Sequence, residues 1–228
     1  MSGCNLIIAC RTAQDRQANF SRAIGAIERN VARGTKAFHF DFDRVVCNPD
    51  KANVETVRQT LKEFRLEPCH GVNGNFAAIC CGQGPKWVLI TLVPSLGSQP
   101  EKLDEMVAFM SARAAENVGL IEKTPLTDVL AQLKVLERLN TIMTNRNKTA
   151  IHPAIAHLGI QGALDFVFYV SRILRPKPET QMFSAGVEWT RVSKEESFFI
   201  DDNIVCVRAA RSFGMPAYHL RWGDGRRG

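Results

Sequence analysis

Two aspartates separated by one residue close an aromatic, apolar run, Phe38-His39-Phe40-Asp41-Phe42-Asp43. In extended backbone, alternate side chains point to one side, so Asp41 and Asp43 are expected together. Two acids that close either share a metal ion or divide labour, because like charges disfavour joint ionisation. A phosphate ester needs both roles. One carboxylate can attack phosphorus, while the other protonates the leaving oxygen and later activates water. On its own such a pair also reads as a polar strand end with a turn.

Three further stretches gain meaning from their order. Thr144-Asn145 follows the apolar Thr141-Ile142-Met143, where a hydroxyl and a loop amide can hold phosphate oxygens or simply cap a helix. Lys177 stands between Pro176 and Pro178, so its backbone is stiff. It is either a cation for a nucleophile and phosphoryl group or a solvated loop lysine. Asp201-Asp202 ends the apolar Phe198-Phe199-Ile200. Paired acids there suit a hard cation such as Mg²⁺, or cap the helix that follows.

The elements that must position these residues alternate. Helical spacing is expected from Asn48-Pro49 through Val54, Val57, Leu61 and Phe64, and again from Pro100 through Leu103, Met106, Val107 and Met110. Between them, the apolar runs 76–81 and 87–93 flank Gly82-Gln83-Gly84-Pro85 and read as two strands and a turn. Residues 48–122 therefore read as an inserted module. After Thr124-Pro125 a helix is followed by a strand at Leu139–Met143 and a helix to about Leu158. Then come a strand at Asp165–Val170, a helix at Pro178–Trp189 and a Ser193–Glu196 capping box. A strand at Phe198–Ile200, a helix ended by Gly214 and a strand at Pro216–Leu220 complete the series. This rhythm implies an α/β fold, a Rossmann-like parallel sheet with helices on both faces. Ligands of such sheets bind beyond the carboxyl ends of the strands, where all four motifs fall.

A length of 228 residues suits one sizeable core with a smaller insertion. No apolar run reaches the ~18 residues needed to cross a bilayer, and the first residues lack the features of a secretory signal. The formal charge is +6, with +4 in residues 1–36 and +2 in 221–228, so 37–220 sum to zero. Basic charge split between two ends argues for solvated termini and against a nucleic-acid-binding face. Seven cysteines without metal-site spacing fit a reduced, cytoplasmic protein. His70, Asn73, Asn75 and Trp87 are candidate ligand contacts in the inserted module, although each is equally at home as surface or packing.

Taken together, the motifs resemble those of the haloacid dehalogenase-like hydrolases. The resemblance covers residues 37–47 and about 123–220. It is most specific in Arg175-Pro176-Lys177-Pro178-Glu179, Phe199-Ile200-Asp201-Asp202-Asn203 and Ala209-Ala210-Arg211-Ser212-Phe213-Gly214-Met215, which look like the phosphatase branch whose fourth motif is a double aspartate. The resemblance implies Asp41 as the nucleophile that becomes an aspartyl-phosphate and Asp43 as general acid/base. Thr144 and Asn145 would bind the phosphoryl group, and Lys177 would steady the nucleophile and the phosphate. Mg²⁺ would sit on Asp41, the Asp43 carbonyl and Asp202, with Asp201 in support. It further implies a core of 37–47 and 123–228, a cap at 48–122 that closes over a small phosphorylated metabolite, and a 1–36 extension without a counterpart.

The chain departs from the family pattern in three places. Arg44 stands where Gly or Thr is usual, as a substrate contact or an obstruction. Asn203-Ile204-Val205-Cys206 lacks a further acid, and two strands in the cap would differ from the all-helical cap of this branch. The same fold allows two other readings. A dehalogenase needs neither Asp43 nor a metal, and a catalytically silent binding or regulatory protein would need none of the acids.

Overall fold

The computed structural model describes residues 3–69, 76–81 and 84–222, with side chains described from Gln14 onward. In chain order the elements are α1 (Gly3–Ala32), β1 (Ala37–Phe40), β2 (Cys47–Asn48), α2 (Asp50–Glu63), α3 (Phe76–Ile79), α4 (Pro85–Leu92), α5 (Pro100–Glu116) and β3 (Glu122–Lys123). They continue as α6 (Pro125–Val135), β4 (Leu139–Asn147), α7 (Lys148–Leu158), β5 (Phe166–Val170), α8 (Gln181–Thr190), β6 (Ser197–Asp201), α9 (Ile204–Phe213) and β7 (Ala217–His219). Two compact units result: Met1–Cys47 with Lys123–Asn145 and Ile160–Gly228, and Asn48–Glu122 with Arg146–Gly159.

The first unit is built on a five-stranded sheet in the order β5-β4-β1-β6-β7. Its central strand, β1, pairs in parallel with β4 on one side and β6 on the other, with Phe40 opposite Ile142 and Ile200. The fold is thus the α/β parallel-sheet class expected from the sequence. Parity along β1 and β6 divides the core. Phe38 meets Phe198 edge-on at 6.1 Å, while Phe199 packs with Phe183, Met182, Met143, Cys206 and Ala210. Gly186 of α8 makes room for this packing: a Cβ there would come within 2.1 Å of the Met143 Cε, and that side chain would have to shift.

Helix boundaries follow local chemistry. Asn203 caps α9 by accepting from the Val205 N–H at 2.9 Å, and Gly214 ends it at φ 97 in the left-handed region. The helix expected from Pro178 starts later, at Gln181. Ser193 Oγ accepts from the Glu196 N–H at 3.3 Å and donates to Glu196 Oε2 at 3.4 Å, around a turn that leads straight into β6 rather than into a helix.

Helix α1 is partly embedded. Its Phe20, Ala23, Ala26 and Ile27 are buried, at the spacing of one helical face. Arg22, Arg29, Arg33 and Lys36 are exposed, so these charges are solvated as expected. Arg16 instead stacks over the Trp222 ring at 4.3 Å.

The second unit is helical where the sequence suggested strands. Residues 76–79 form α3 and 85–92 form α4, so the expected strand pair is wrong. An apolar run of this length has the same composition in a strand or a buried helix, and the periodicity of burial decides. Val88, Leu89 and Leu92 are buried, while Trp87 and Ile90 are exposed, a helical face rather than alternation. Gly84 and Pro85 sit at the cap and first position of α4, where a helix start favours them. These residues pack with Val57 and Leu61 of α2 and Leu103 and Met106 of α5. Helix α7 belongs to this unit. His70, Asn73 and Asn75 lie outside the described residues.

His39 is fully buried in the middle of β1, with Nδ1 at 2.7 Å from the Thr141 Oγ1. Burial lowers its pKa to about 3, well under the ordinary histidine value near 6.5. A folded-state pKa below the unfolded one gives a contribution that is complete above about pH 6.5 and is lost as pH falls toward about 3. His39→Leu is therefore expected to cost stability at neutral pH but to flatten the acid limb by up to ~1.4 kcal/mol per pH unit. Urea titrations of both proteins from pH 7 to 5 check this; parallel slopes would refute it.

Candidate active site

The strand register assembles the site. Since Phe40 lies opposite both Ile142 and Ile200, the next residues on the three strands, Asp41, Met143 and Asp201, come level, and Thr144 lies one step beyond. The Asp41 N–H continues the ladder to the Ile200 carbonyl at 2.8 Å. The chain does not stay extended to Asp43 as the sequence suggested. It turns at Phe42, whose carbonyl accepts from the N–H groups of Val46 and Cys47 at 3.0 and 3.1 Å. The hydroxyl of Thr127 in α6 donates to the Val46 carbonyl at 2.8 Å and anchors the turn. Arg44 within it has φ 60, a left-handed conformation that costs a non-glycine residue about 1 kcal/mol.

Lys177 is the hub. Its ammonium is buried and donates to Asp41 Oδ1 and Asp201 Oδ2, each at 2.7 Å. Its backbone is gripped from both ends by one side chain. The Lys177 N–H donates to Asn145 Oδ1 at 2.7 Å, and Asn145 Nδ2 donates to the Lys177 carbonyl at 3.0 Å. A primary amide is suited to this because it carries both a donor and an acceptor. The sequence reading gave Asn145 to phosphate and did not see this grip. The signal was an Asn at a strand end paired with a proline-flanked lysine whose N–H lies outside any helix.

Asp201 has both oxygens engaged, Oδ2 with Lys177 and Oδ1 accepting from the Asn203 N–H at 2.7 Å. Asp41, Asp201 and Asp202 bring carboxylate oxygens within 4.8 Å of one another. Three hard oxygen donors that close are a fitting seat for Mg²⁺. The Asp43 carboxylate is not in that group; it accepts from the Cys47 thiol at 3.9 Å, and it was the Asp43 carbonyl that the sequence reading gave to the metal. Thr144 is buried within β4, which runs on to Asn147 rather than ending at Met143 as expected.

The charges are strongly coupled. Burial, joined by the neighbouring Asp201 and Asp43, lifts Asp41 to about 7 against the opposing pull of Lys177. Burial also raises Asp202 well above the carboxylate range, with Asp41 and Asp201 adding to it and Arg44 opposing. For Lys177, burial favours the neutral form, but Asp201 and Asp41 outweigh it and hold the lysine above its ordinary range. Cys206 lies among these groups, and burial pushes its thiol up to about 12. It is an inert filler rather than a nucleophile. Among the described residues no helix is long and apolar enough to cross a membrane.

Comparison with known proteins finds structures of similar fold. A HAD-superfamily hydrolase of subfamily IA, variant 1, from Geobacter sulfurreducens PCA is similar at TM-score 0.66 and 21% identity, over 82% of this chain and 87% of that one. A predicted phosphoglycolate phosphatase from Haemophilus somnus 129pt is similar at TM-score 0.71 and 18% identity, over 83% and 87%. CbbY from Rhodobacter sphaeroides, solved in complex with phosphate, is similar at TM-score 0.68 and 12% identity, over 85% and 90%. At these identities the likeness is one of fold. The family model described as haloacid dehalogenase-like hydrolase matches residues 39–219, most of the chain, and the protein is a member of that family.

Proposed function

We propose that the protein is a Mg²⁺-dependent phosphomonoester hydrolase acting on a small phosphorylated metabolite through an aspartyl-phosphate. The observation that carries this reading is the buried Lys177 ammonium bonded to Asp41 and Asp201, beside a three-carboxylate cation seat. Asp41 is the nucleophile, oriented by Lys177. Asp43, on the turn and off the metal group, is the acid that protonates the leaving oxygen and then the base for water. Thr144 and the backbone at Asn145 take phosphate oxygens. Asp41 and Asp202 hold Mg²⁺ with the Asp43 carbonyl, and Asp201 acts mainly by holding Lys177. Bound there, the cation offsets carboxylate and phosphate charge. The similarity in fold to a predicted phosphoglycolate phosphatase supports this reading. A dehalogenase would give Asp202 and Asp43 no task.

Phosphate release from a panel of phosphorylated nucleotides, sugars and short acids is expected only with Mg²⁺, and Asp41→Asn is expected to abolish it without unfolding the protein. Asp43→Asn is expected to slow turnover by ~10²–10⁴-fold on alkyl phosphates and much less on aryl phosphates, whose leaving group needs no proton. Equal losses on both would remove Asp43 from that role.

The acids also predict a stability signature. Asp41 has a folded-state pKa of about 7, above its unfolded value, so its contribution is present below about pH 4 and lost as pH rises through 7. Without metal, Asp202→Asn is therefore expected to melt higher than wild type at pH 8, because it removes a like charge. Millimolar Mg²⁺ is expected to raise the wild-type Tm and leave the variant unmoved. A wild type indifferent to Mg²⁺ would count against the cation seat.

A further inference from the structure

Arg44 has no task in the reaction as assigned, yet it is held in an unusual way. It adopts φ 60 on the aspartate-bearing turn, a position glycine fills without strain. Its guanidinium lies 5.6 Å from the centroid of the Trp222 ring, within the range of cation–π attraction. Trp222 is itself fixed, being 5% exposed. It meets Phe20 of α1 edge-on at 5.9 Å and 82°, and Arg16 of α1 stacks on it at 4.3 Å. The N-terminal helix and the segment after β7 thus meet in one aromatic seat whose other occupant is the active-site arginine. Phe20 and Trp222 lie outside the matched family residues 39–219, while Arg44 lies within them.

The charge count shows what it adds. Asp41, Asp43, Asp201 and Asp202 carry four negative charges when ionised, and Lys177 returns one. A divalent cation leaves the group at minus one with all four ionised, or neutral with Asp43 protonated as the acid, and neither attracts a phosphate dianion. Arg44 raises either sum by one. Its proximity is already visible in the pull it exerts on Asp202.

We propose that Arg44 is a binding residue for the substrate's phosphate group, and that Trp222, braced by α1, is the positioning residue that keeps its guanidinium at the acidic rim. The inference rests on the phosphatase reading.

Calorimetric titration of the full chain tests it, using Mg²⁺ alone and then inorganic phosphate at saturating Mg²⁺. Arg44→Gln is expected to weaken phosphate about tenfold, the order of one hydrogen bond to a charged group, and to tighten Mg²⁺ by removing a like charge. Trp222→Leu should reproduce both shifts, Trp222→Phe should restore them, and the double variant R44Q/W222L should be no worse than R44Q. Arg44→Lys, which keeps the charge but loses the planar stack, should fall between wild type and Arg44→Gln even if Trp222→Leu does not fold. If Trp222→Leu merely melts lower and binds both ligands as wild type does, or if the two losses add, the seat is packing and the proposal is overturned, with the phosphatase reading intact. Wild-type binding by Arg44→Lys overturns it equally. A wild type that binds Mg²⁺ but no phosphate would instead overturn the phosphatase reading, and this inference with it.

Discussion

A single buried ammonium organises the first unit. Removing the Lys177 charge from water is expensive, and it is tolerable only where carboxylates accept from it in good geometry. Asp41 and Asp201 do so at 2.7 Å each. They can because β1 and β6 are neighbours in parallel register, which puts the two strand ends side by side. The lysine must then arrive from a third direction, along the loop after β5, with its backbone fixed to within the tolerance of two hydrogen bonds. Asn145 at the end of β4 provides that fix. Sheet order, register and one amide side chain are thus all conditions on the same ion pair.

The cost of this arrangement falls on the remaining acids. With one cation shared between two carboxylates, Asp202 and Asp43 are left in a cluster of net negative charge, and burial sharpens the repulsion. The raised pKa values of Asp41 and Asp202 come first from burial, and then from that repulsion. Such a site is less stable than an apolar one of the same shape, a pattern common where groups must be poised for chemistry. Burial also disfavours the charged form of His39, and with the carboxylates it makes the unit's stability depend on pH from both directions.

Much of this was legible in the sequence because strand ends and chemistry coincide. Asp41 and Asp201 could be placed by apolar runs that stop at an acid, and Lys177 by flanking prolines that deny it a helix. What could not be read was anything set by contact between distant segments. The backbone grip of Asn145 on Lys177 spans 32 positions, and no local pattern encodes it. The turn at Phe42 is anchored by the Thr127 hydroxyl of α6, far along the chain. The second unit was misread for a different reason. Residues 85–92 are apolar enough to satisfy either periodicity, and only the burial of Val88, Leu89 and Leu92 with Trp87 outside separates helix from strand.

The N-terminal helix shows how composition can mislead about architecture. Six Lys and Arg against two acids in residues 1–36 describe a solvated arm, and most of those charges are indeed exposed. Yet Phe20, Ala23, Ala26 and Ile27 are buried along one stripe, and small residues at 23 and 26 let the helix lie close to its neighbours. Burying Phe20 and Ile27 alone is worth roughly 1.5–3 kcal/mol each, a large fraction of the marginal stability of a domain. Net charge measures only the outer face of an amphipathic helix, so it carries no information about the inner one. In this chain the inner face reaches Trp222 and, through that ring, the turn that carries Asp41 and Asp43. The helix is therefore a structural part of the unit that holds the acids, whatever its charged face does in solution.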